Sequence, residues 1–209
     1  MILKVSKFKA RYSSSSAWWS FPKLELSKGM CLAIMGKTGC GKTTLLNALF
    51  SHSFTGMVEY DLAELMGKDL RVWGRERYQA ISYMPQYAQN GLNPSLTIGE
   101  QIELVKRSCK VPDSRLDLFF QDLGLEKEIS RLYPFQISGG MKQRVVILMG
   151  FIKQPRLFIL DEPSSALDFM TLSKTMDFLK KRKHEGAGLI VVSHHLGFAT
   201  SIADKVIEL

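Results

Sequence analysis

The sequence predicts an α/β protein built around a mainly parallel β-sheet. Short apolar segments of strand length recur along the chain, amphipathic segments of helical length alternate with them, and the middle of the chain has a helical pattern. Strands that alternate with helices are typical of parallel sheets, because a crossover, usually a helix, joins neighbouring strands. The 209 residues suit one compact domain with a hydrophobic core and are short for two.

The first part of the chain carries three predicted strands and a helix. The opening segment ILKVSKF, at 2–8, is predicted as a strand. The run MCLAIMG, at 30–36, is apolar and ends in glycine, which indicates a buried strand, and KTTLLNALF, at 42–50, follows as a helix. QAISYMPQ, at 79–86, is a further strand, which Pro85 stops.

The second part begins with a helical stretch. Amphipathic patterns at 97–108 and 113–125 predict two helices. We interpret the region of about 89–150 as a helical subdomain inserted into the α/β fold. The remaining predicted elements are helices at 141–153, 171–183 and 195–203 and strands at 156–160 and 188–193.

Composition and charge narrow the class of protein. The longest apolar run, VVILMGFI, is too short to cross a bilayer, and the first residues carry no continuous apolar stretch, so we expect no signal peptide. Three cysteines without a CxxC pair favour a reducing, cytosolic environment. The net charge of +8 suits nucleic acid, anionic lipid or phosphorylated ligands, whereas the run KKRK at 180–183 is better explained as a solvated helix end.

A phosphate-binding loop is the first chemical motif. The residues GKTGCGKT fit the pattern G-x-x-x-x-G-K-[ST], and they lie between a predicted strand and a predicted helix, as this motif requires. The glycines let the backbone curl around phosphate oxygens, the lysine reaches the β- and γ-phosphates, and the hydroxyl of Thr43 can bind Mg²⁺. The predicted phosphate-binding residues are Gly36, Lys37, Thr38, Gly39, Cys40, Gly41, Lys42, Thr43 and Thr44.

An acidic pair follows the strand LFIL. Asp161 lies at the carboxyl end of this strand, where open α/β sheets bind their ligands, and it can hold Mg²⁺. Glu162 is next to it and can polarise a water molecule against the γ-phosphate. An Asp-Glu pair is also common as a surface end to a strand. A small-molecule kinase or a switch GTPase would use the same loop and carboxylate.

The segment ISGGMKQR, at 137–144, is left unexplained by a kinase or a GTPase. Two adjacent glycines are a poor start for the apolar helix that follows, because glycine loses much backbone entropy on folding. They suit a helix N-terminus whose bare N–H groups contact an anion.

With GKTGCGKT, ISGGMKQR and LDEP in this order, the chain resembles the ATP-binding-cassette (ABC) ATPases over nearly all of its length. The resemblance implies a P-loop NTPase core with an inserted helical subdomain and a small N-terminal antiparallel β part, in a single domain, 1–209. It implies ATP and Mg²⁺ as ligands. Gln86 is similar to the glutamine that links the metal site to the helical subdomain, the loop SALD at 165–168 to the one after the catalytic glutamate, and His194 to the switch histidine. Tyr12 has suitable spacing to stack on adenine, with Trp18 and Trp19 as rivals.

In this family two cassettes face each other head to tail. The resemblance therefore implies that Ser138, Gly139 and Gly140 contact a phosphate held by the P-loop of a second ATPase subunit, identical or homologous. It also implies transmembrane permease subunits as partners, a solute-binding protein as an indirect partner, and a peripheral position on the cytoplasmic face of the cell membrane. No nucleic acid partner is expected.

A narrower resemblance concerns the type of importer. GLNPSLTIGEQI and YPFQISGGMKQRVVI are similar to segments of the peptide and nickel importer branch, although an Asn-Pro turn and an amphipathic helix need no partner. The alternative function is a non-transport ABC ATPase that acts on nucleic acid. His195 stands where the family usually has aspartate near the dimer seam, and it could equally open the helix at 195–203.

Overall fold

The computed structural model describes residues 1–51, 54–109, 112–163 and 169–209 of the chain. The strands in these residues are β1 (Leu3–Ser6), β2 (Phe8–Arg11), β3 (Trp19–Phe21), β4 (Leu24–Leu26), β5 (Cys31–Met35), β6 (Met57–Glu59), β7 (Leu62–Leu65), β8 (Lys68–Asp69), β9 (Ile81–Met84), β10 (Leu157–Asp161), β11 (Gly188–Val192) and β12 (Lys205–Glu208). The helices are α1 (Lys42–Phe50), α2 (Arg77–Ala80), α3 (Ile98–Cys109), α4 (Asp113–Asp122), α5 (Gly139–Ile152), α6 (Phe169–His184) and α7 (Leu196–Ile202). Short 3-10 helices lie at Leu70–Val72, Ala88–Gly91, Lys127–Arg131 and Pro134–Gln136.

A five-stranded parallel sheet forms the centre of the fold. Its strands lie in the order β12–β5–β11–β10–β9, and every neighbouring pair is parallel. The strands predicted at 30–36, 156–160 and 188–193 are confirmed. The strand predicted at 79–86 begins later, at Ile81, because the preceding residues form α2. Since parallel strands end at the same edge, the segments that follow β5, β9, β10 and β11 gather there.

The N-terminal part of the chain forms the predicted antiparallel β-structure, but its opening is different from the prediction. One sheet has the order β4–β1–β7–β8 and another the order β3–β2–β6. The single strand predicted at 2–8 is wrong, because the chain breaks at Lys7 into β1 and β2, which belong to different sheets. Lys7 has a φ of +49°, a left-handed conformation that a β-strand cannot accommodate.

The two faces of the parallel sheet carry separate hydrophobic clusters. Along β10, Phe158 and Leu160 pack with α5 on one face, whereas Leu157 and Ile159 pack with α1 on the other. This follows from the strand period of two, which sends alternate side chains to opposite faces. Each of these side chains is at most 1% exposed, and burial of such a residue stabilises the fold by about 1.5–3 kcal/mol.

The helical stretch between β9 and β10 shares one of these clusters. The helices predicted at 97–108 and 113–125 correspond to α3 and α4. A capping box starts α3, because the hydroxyl of Thr97 accepts from the Glu100 amide and the Glu100 carboxylate accepts from the Thr97 amide. Phe119 of α4 lies in the cluster that α5 and the sheet form, so the helical stretch packs directly on the parallel core.

The helices predicted at 141–153, 171–183 and 195–203 are confirmed as α5, α6 and α7, with ends shifted by one or two residues. The basic run at the end of α6 makes ion pairs within the chain: Lys181 with Asp122, Arg182 with Asp122 and Glu185, and Lys183 with Asp204. Among the described helices, none is both long and apolar enough to cross a membrane.

Candidate active site

The loop between β5 and α1 has the shape that its glycines allow. Gly39 has a φ of +86° and Gly41 a φ of +98°, conformations that residues with a side chain rarely adopt. A Cβ on Gly39 would meet nothing within 4 Å, whereas a Cβ on Gly41 would lie 2.9 Å from Cε3 of Trp19. Gly41 is thus required by both its backbone and its neighbour, and Gly39 by its backbone alone.

Lys42 holds the loop from inside. Its ammonium donates to the carbonyl oxygens of Gly36 at 2.7 Å and Lys37 at 3.0 Å, and it lies 3.9 Å from the sulfur of Cys40. Lys42 is also the first residue of α1, whose first turn contains no acidic side chain. The positive end of the helix and the ammonium therefore act together at one point, which favours a bound anion.

Two carboxylates end β10 on the same edge of the sheet. Asp161 and Glu162 are 6% and 7% exposed. Burial raises the pKa of Asp161 above its ordinary value, and the neighbouring Glu162 adds to this. The hydroxyl of Tyr83 donates to Oδ2 of Asp161 at 3.2 Å. Burial raises the pKa of Tyr83 above its ordinary value, and the nearby charge of Asp161 raises it further. This hydroxyl therefore stays protonated and can donate at neutral pH.

Glu162 is held in an unusual conformation by the end of the neighbouring strand. Its φ is +52°, and its amide donates to the carbonyl oxygen of Val192 at 2.8 Å. Its Oε1 accepts from the His194 amide at 3.1 Å and lies 2.8 Å from Nδ1 of the same residue. One hydrogen bond and one ring contact from the same residue therefore hold this carboxylate, and the imidazole that the resemblance places near the γ-phosphate contacts Glu162.

These groups meet in one cavity of about 300 Å³. The cavity joins residues that are far apart in the chain, because the strand ends and the loop after β5 gather at one edge of the sheet. It is lined by Trp19, Thr38, Gly39, Gly41, Lys42, Thr43, Thr44, Gln86, Asp161, Glu162 and His194.

Trp19 is the aromatic residue that lines this cavity. The sequence left it as a rival to Tyr12, and spacing alone could not decide between them. Tyr12 does not line the cavity; its ring packs against Phe54 with 5.5 Å between centroids. Trp18 lies under the guanidinium of Arg11, at 4.4 Å. Stacking of Tyr12 on adenine stays a prediction.

Ser138, Gly139 and Gly140 lie outside the cavity, at the start of α5. Ser138 is the N-cap, and its hydroxyl accepts from the Met141 amide at 3.2 Å. Ser138 and Gly139 are exposed, and a Cβ on Gly139 would meet nothing within 4 Å. The 14-residue helix α5 therefore presents an open, uncharged N-terminus away from the chain's own phosphate-binding loop.

Of the remaining positions, His195 and the loop SALD were predicted from the sequence, whereas Gln143 was not. His195 is the N-cap of α7, where its Nδ1 accepts from the Phe198 amide at 3.2 Å. Of the two interpretations of His195, the one in which it begins this helix is confirmed. The amide of Gln143, on α5, donates to the carbonyl oxygen of Pro163 and ties this helix to the segment after Glu162. The loop SALD, at 165–168, lies outside the described residues.

Comparison with known proteins agrees with this arrangement. A family model described as ABC transporter matches residues 22–165. The chain belongs to the ABC transporter family. Among solved structures, a dimeric ATP-binding cassette in a post-hydrolysis state, bound to ADP and Pi, is 26% identical to this family member, with a TM-score of 0.79 over 100% of this chain and 94% of that one. An ATP-binding subunit of an ABC transporter shares the fold, with a TM-score of 0.84 and 22% identity.

Several curated relatives of this ABC transporter family member are transport proteins. The oligopeptide transport ATP-binding protein OppD of Lactococcus lactis subsp. cremoris is 34% identical over 197 residues, which cover 88% of this chain. The oligopeptide transport ATP-binding protein OppF of Salmonella typhimurium is 30% identical over 228 residues and 99% of this chain. The aligned part spans 58% of the length of OppD and 68% of that of OppF.

Proposed function

We propose that the chain is an ATPase subunit that energises a membrane importer of peptides, with ATP and Mg²⁺ as its ligands. The observation that carries this proposal is the single cavity in which the phosphate-binding loop, Asp161, Glu162 and His194 meet. We further propose that residues 1–209 form one cassette domain, with a helical subdomain at about 89–150.

Nucleotide binding is assigned to the loop and its surroundings. Lys42 and the amides at the start of α1 bind the phosphates, because both are positive and lie at one point. Trp19 offers an apolar ring at the rim of the same cavity. The oxygen donors of Thr43, Gln86 and Asp161 fit the preference of Mg²⁺ for hydroxyl, amide and carboxylate ligands. When bound, Mg²⁺ neutralises phosphate charge that develops during hydrolysis.

Glu162 is the proposed general base. Its carboxylate lines the cavity and is oriented by the amide and ring of His194, so it can accept a proton from a water molecule that attacks the γ-phosphate. His194 is exposed over 69% of its side chain, which leaves it free to contact a phosphate as well as Glu162.

The start of α5 is the proposed contact to a second ATPase subunit. An exposed helix N-terminus with Ser138, Gly139 and Gly140, outside the chain's own cavity, suits a phosphate that another subunit holds. The site is then complete only in a head-to-tail dimer, either of identical or of homologous subunits.

The transport role is supported by the relatives, whose names describe oligopeptide and dipeptide transport ATP-binding proteins. We propose transmembrane permease subunits as direct partners, a solute-binding protein as an indirect one, and a peripheral position on the cytoplasmic face of the cell membrane. Nickel remains the other cargo that the sequence motifs favour. A nucleic acid function is less well supported, because Lys181, Arg182 and Lys183 of the basic run at 180–183 make ion pairs within the chain.

The test separates binding, hydrolysis and pairing. Glu162→Gln should lower ATP hydrolysis by about 10²–10⁴-fold while ATP still binds, and a nucleotide-bound dimer should accumulate in gel filtration. Ser138→Arg should leave ATP binding intact but abolish hydrolysis and pairing together. Ser14→Arg, in an exposed loop, is the matched control and should behave as wild type.

Two results would contradict these assignments. Hydrolysis near the wild-type rate in Glu162→Gln would remove the base. Loss of ATP binding by isolated Ser138→Arg would mean that the start of α5 acts within one chain. Capture of permease subunits by the tagged chain from membranes tests the transport role, and a failure of this arm alone would leave the ATPase assignment standing.

A further inference from the structure

Sheet register brings Tyr83 beside Asp161. Strands β9 and β10 are parallel neighbours, in which Tyr83 is paired with Ile159. Asp161 follows Ile159 by two residues on β10, so it projects from the same face of the sheet as Ile159. On this face Tyr83 is therefore the neighbour of Asp161 across one strand boundary, and its ring is long enough to reach the carboxylate.

The hydrogen bond from Tyr83 is the main contact that the protein makes with this carboxylate. The hydroxyl of Tyr83 lies 3.2 Å from Oδ2 of Asp161. Within residues 1–51, 54–109, 112–163 and 169–209, no other donor hydrogen bonds to the Asp161 side chain. Because Asp161 is only 6% exposed, few water molecules can replace this donor. Among the described residues, the orientation of the carboxylate thus depends on one tyrosine hydroxyl.

We propose that Tyr83 is a positioning residue for the metal-binding carboxylate: its hydroxyl fixes Oδ2 of Asp161 and leaves Oδ1 available to the cation. This inference rests on the proposed function, in which Asp161 contributes to the Mg²⁺ site. Hydrogen bonds of this kind fix the orientation of a metal ligand, and their loss typically weakens metal affinity about 10–100-fold.

The structure supplies a matched control. Tyr83 and Tyr78 both line a separate cavity of about 310 Å³ between α1, α2 and β9. Tyr78 does not line the cavity at the phosphate-binding loop, and its hydroxyl makes no hydrogen bond to the described residues. Tyr78→Phe therefore removes a tyrosine hydroxyl from the same wall without touching Asp161.

The experiment measures metal and nucleotide binding separately, with the full chain. Electron paramagnetic resonance gives the affinity of Mn²⁺ for protein loaded with a non-hydrolysable ATP analogue, and a fluorescence titration in EDTA gives the affinity for the analogue without metal. In Tyr83→Phe, Mn²⁺ should bind about tenfold more weakly, while metal-free affinity stays within about twofold of wild type. Tyr83→Met, which also lacks the donor, should show the same loss, and Tyr78→Phe should show none.

Asp161→Asn serves as the reference variant. If it weakens Mn²⁺ binding and Tyr83→Phe does not, the role of Tyr83 is overturned while the proposed metal site stands. If neither variant changes Mn²⁺ binding, the assignment of Asp161 fails and the role of Tyr83 fails with it. Equal losses in Tyr83→Phe and Tyr78→Phe would show a general effect on the wall of the cavity and would also overturn the inference.

Discussion

Gly41→Ala tests the geometry of the phosphate-binding loop most directly. Two costs add at this position. The φ of +98° costs a residue with a Cβ about 1–2 kcal/mol. The Cβ would also lie 2.9 Å from the indole of Trp19, and such overpacking costs about 1–3 kcal/mol. The free energy of unfolding should therefore fall by about 2–5 kcal/mol.

The matched variant Gly39→Ala separates the two costs. Gly39 also has a positive φ, of +86°, but its Cβ would enter open space, so only the backbone cost of about 1–2 kcal/mol applies. When Gly41→Ala is combined with Trp19→Ala, the steric cost should disappear and only the backbone cost should remain. We expect a coupling energy of about 1–3 kcal/mol between residues 19 and 41 in this double-mutant cycle.

Urea denaturation followed by far-ultraviolet circular dichroism measures each free energy, since this signal does not depend on the tryptophan that is removed. The geometry would be refuted if Gly41→Ala cost no more than Gly39→Ala and the cycle gave no coupling. Destabilisation of both variants by the same amount would mean that Trp19 does not lie against the loop in solution.

Two further predictions concern the pair His194 and His195, and Asp204, which lies just before β12 and pairs with Lys183. His194→Ala should lower ATP hydrolysis about 10–100-fold, because it removes a charge-assisted contact. His195→Ala should keep near-normal turnover and lose about 0.5–1 kcal/mol of stability, because it removes a helix cap. The reverse pattern of turnover would exchange the roles of the two histidines. Burial alone would raise the pKa of Asp204, but hydrogen bonds from the Cys31 amide and the Lys183 ammonium outweigh it and hold the pKa below its ordinary value. This stabilisation is present above about pH 4 and is lost as the pH falls through the lowered pKa. In urea titrations, Asp204→Asn should therefore lower the free energy of unfolding by about 0.5–1 kcal/mol at pH 7 and not at low pH. An equal loss at both pH values would contradict this prediction.

Three strands of the central sheet, β5, β10 and β11, could be predicted because they are continuous apolar runs. Residues 31–34, 157–160 and 188–192 within these runs are buried on both faces of the sheet, and this leaves a continuous apolar pattern in the sequence. The strands β6, β7 and β8 were not predicted, because they are two to four residues long and carry mixed polarity. The break at Lys7 has a weak local signal that the prediction of one strand did not use: the buried apolar residues lie at 3 and 5 before it and at 8 and 10 after it, so the alternation shifts by one position at Ser6 and Lys7.

The candidate site could be predicted as far as its motifs reach. The loop at 36–43 and the acidic pair at the end of β10 each have a local pattern, so their residues were found individually. The contact of Tyr83 with Asp161 depends on β9 being the neighbour of β10, and the position of Trp19 depends on how β3 lies against the loop. Such pairings join residues distant in sequence, and no local pattern encodes them.

At Glu162 the left-handed backbone favours other residue types, whereas the proposed reaction requires the carboxylate. Glycine would adopt a φ of +52° without strain, and asparagine would do so more readily than glutamate. A library randomised at this codon and sorted only for folded protein should therefore become enriched in these two residues, and only a sort for turnover should return glutamate. The enrichment of glutamate in the second sort relative to the first would measure how strongly selection for turnover favours the carboxylate over a backbone without strain. Stability measurements on the purified chain do not give this quantity.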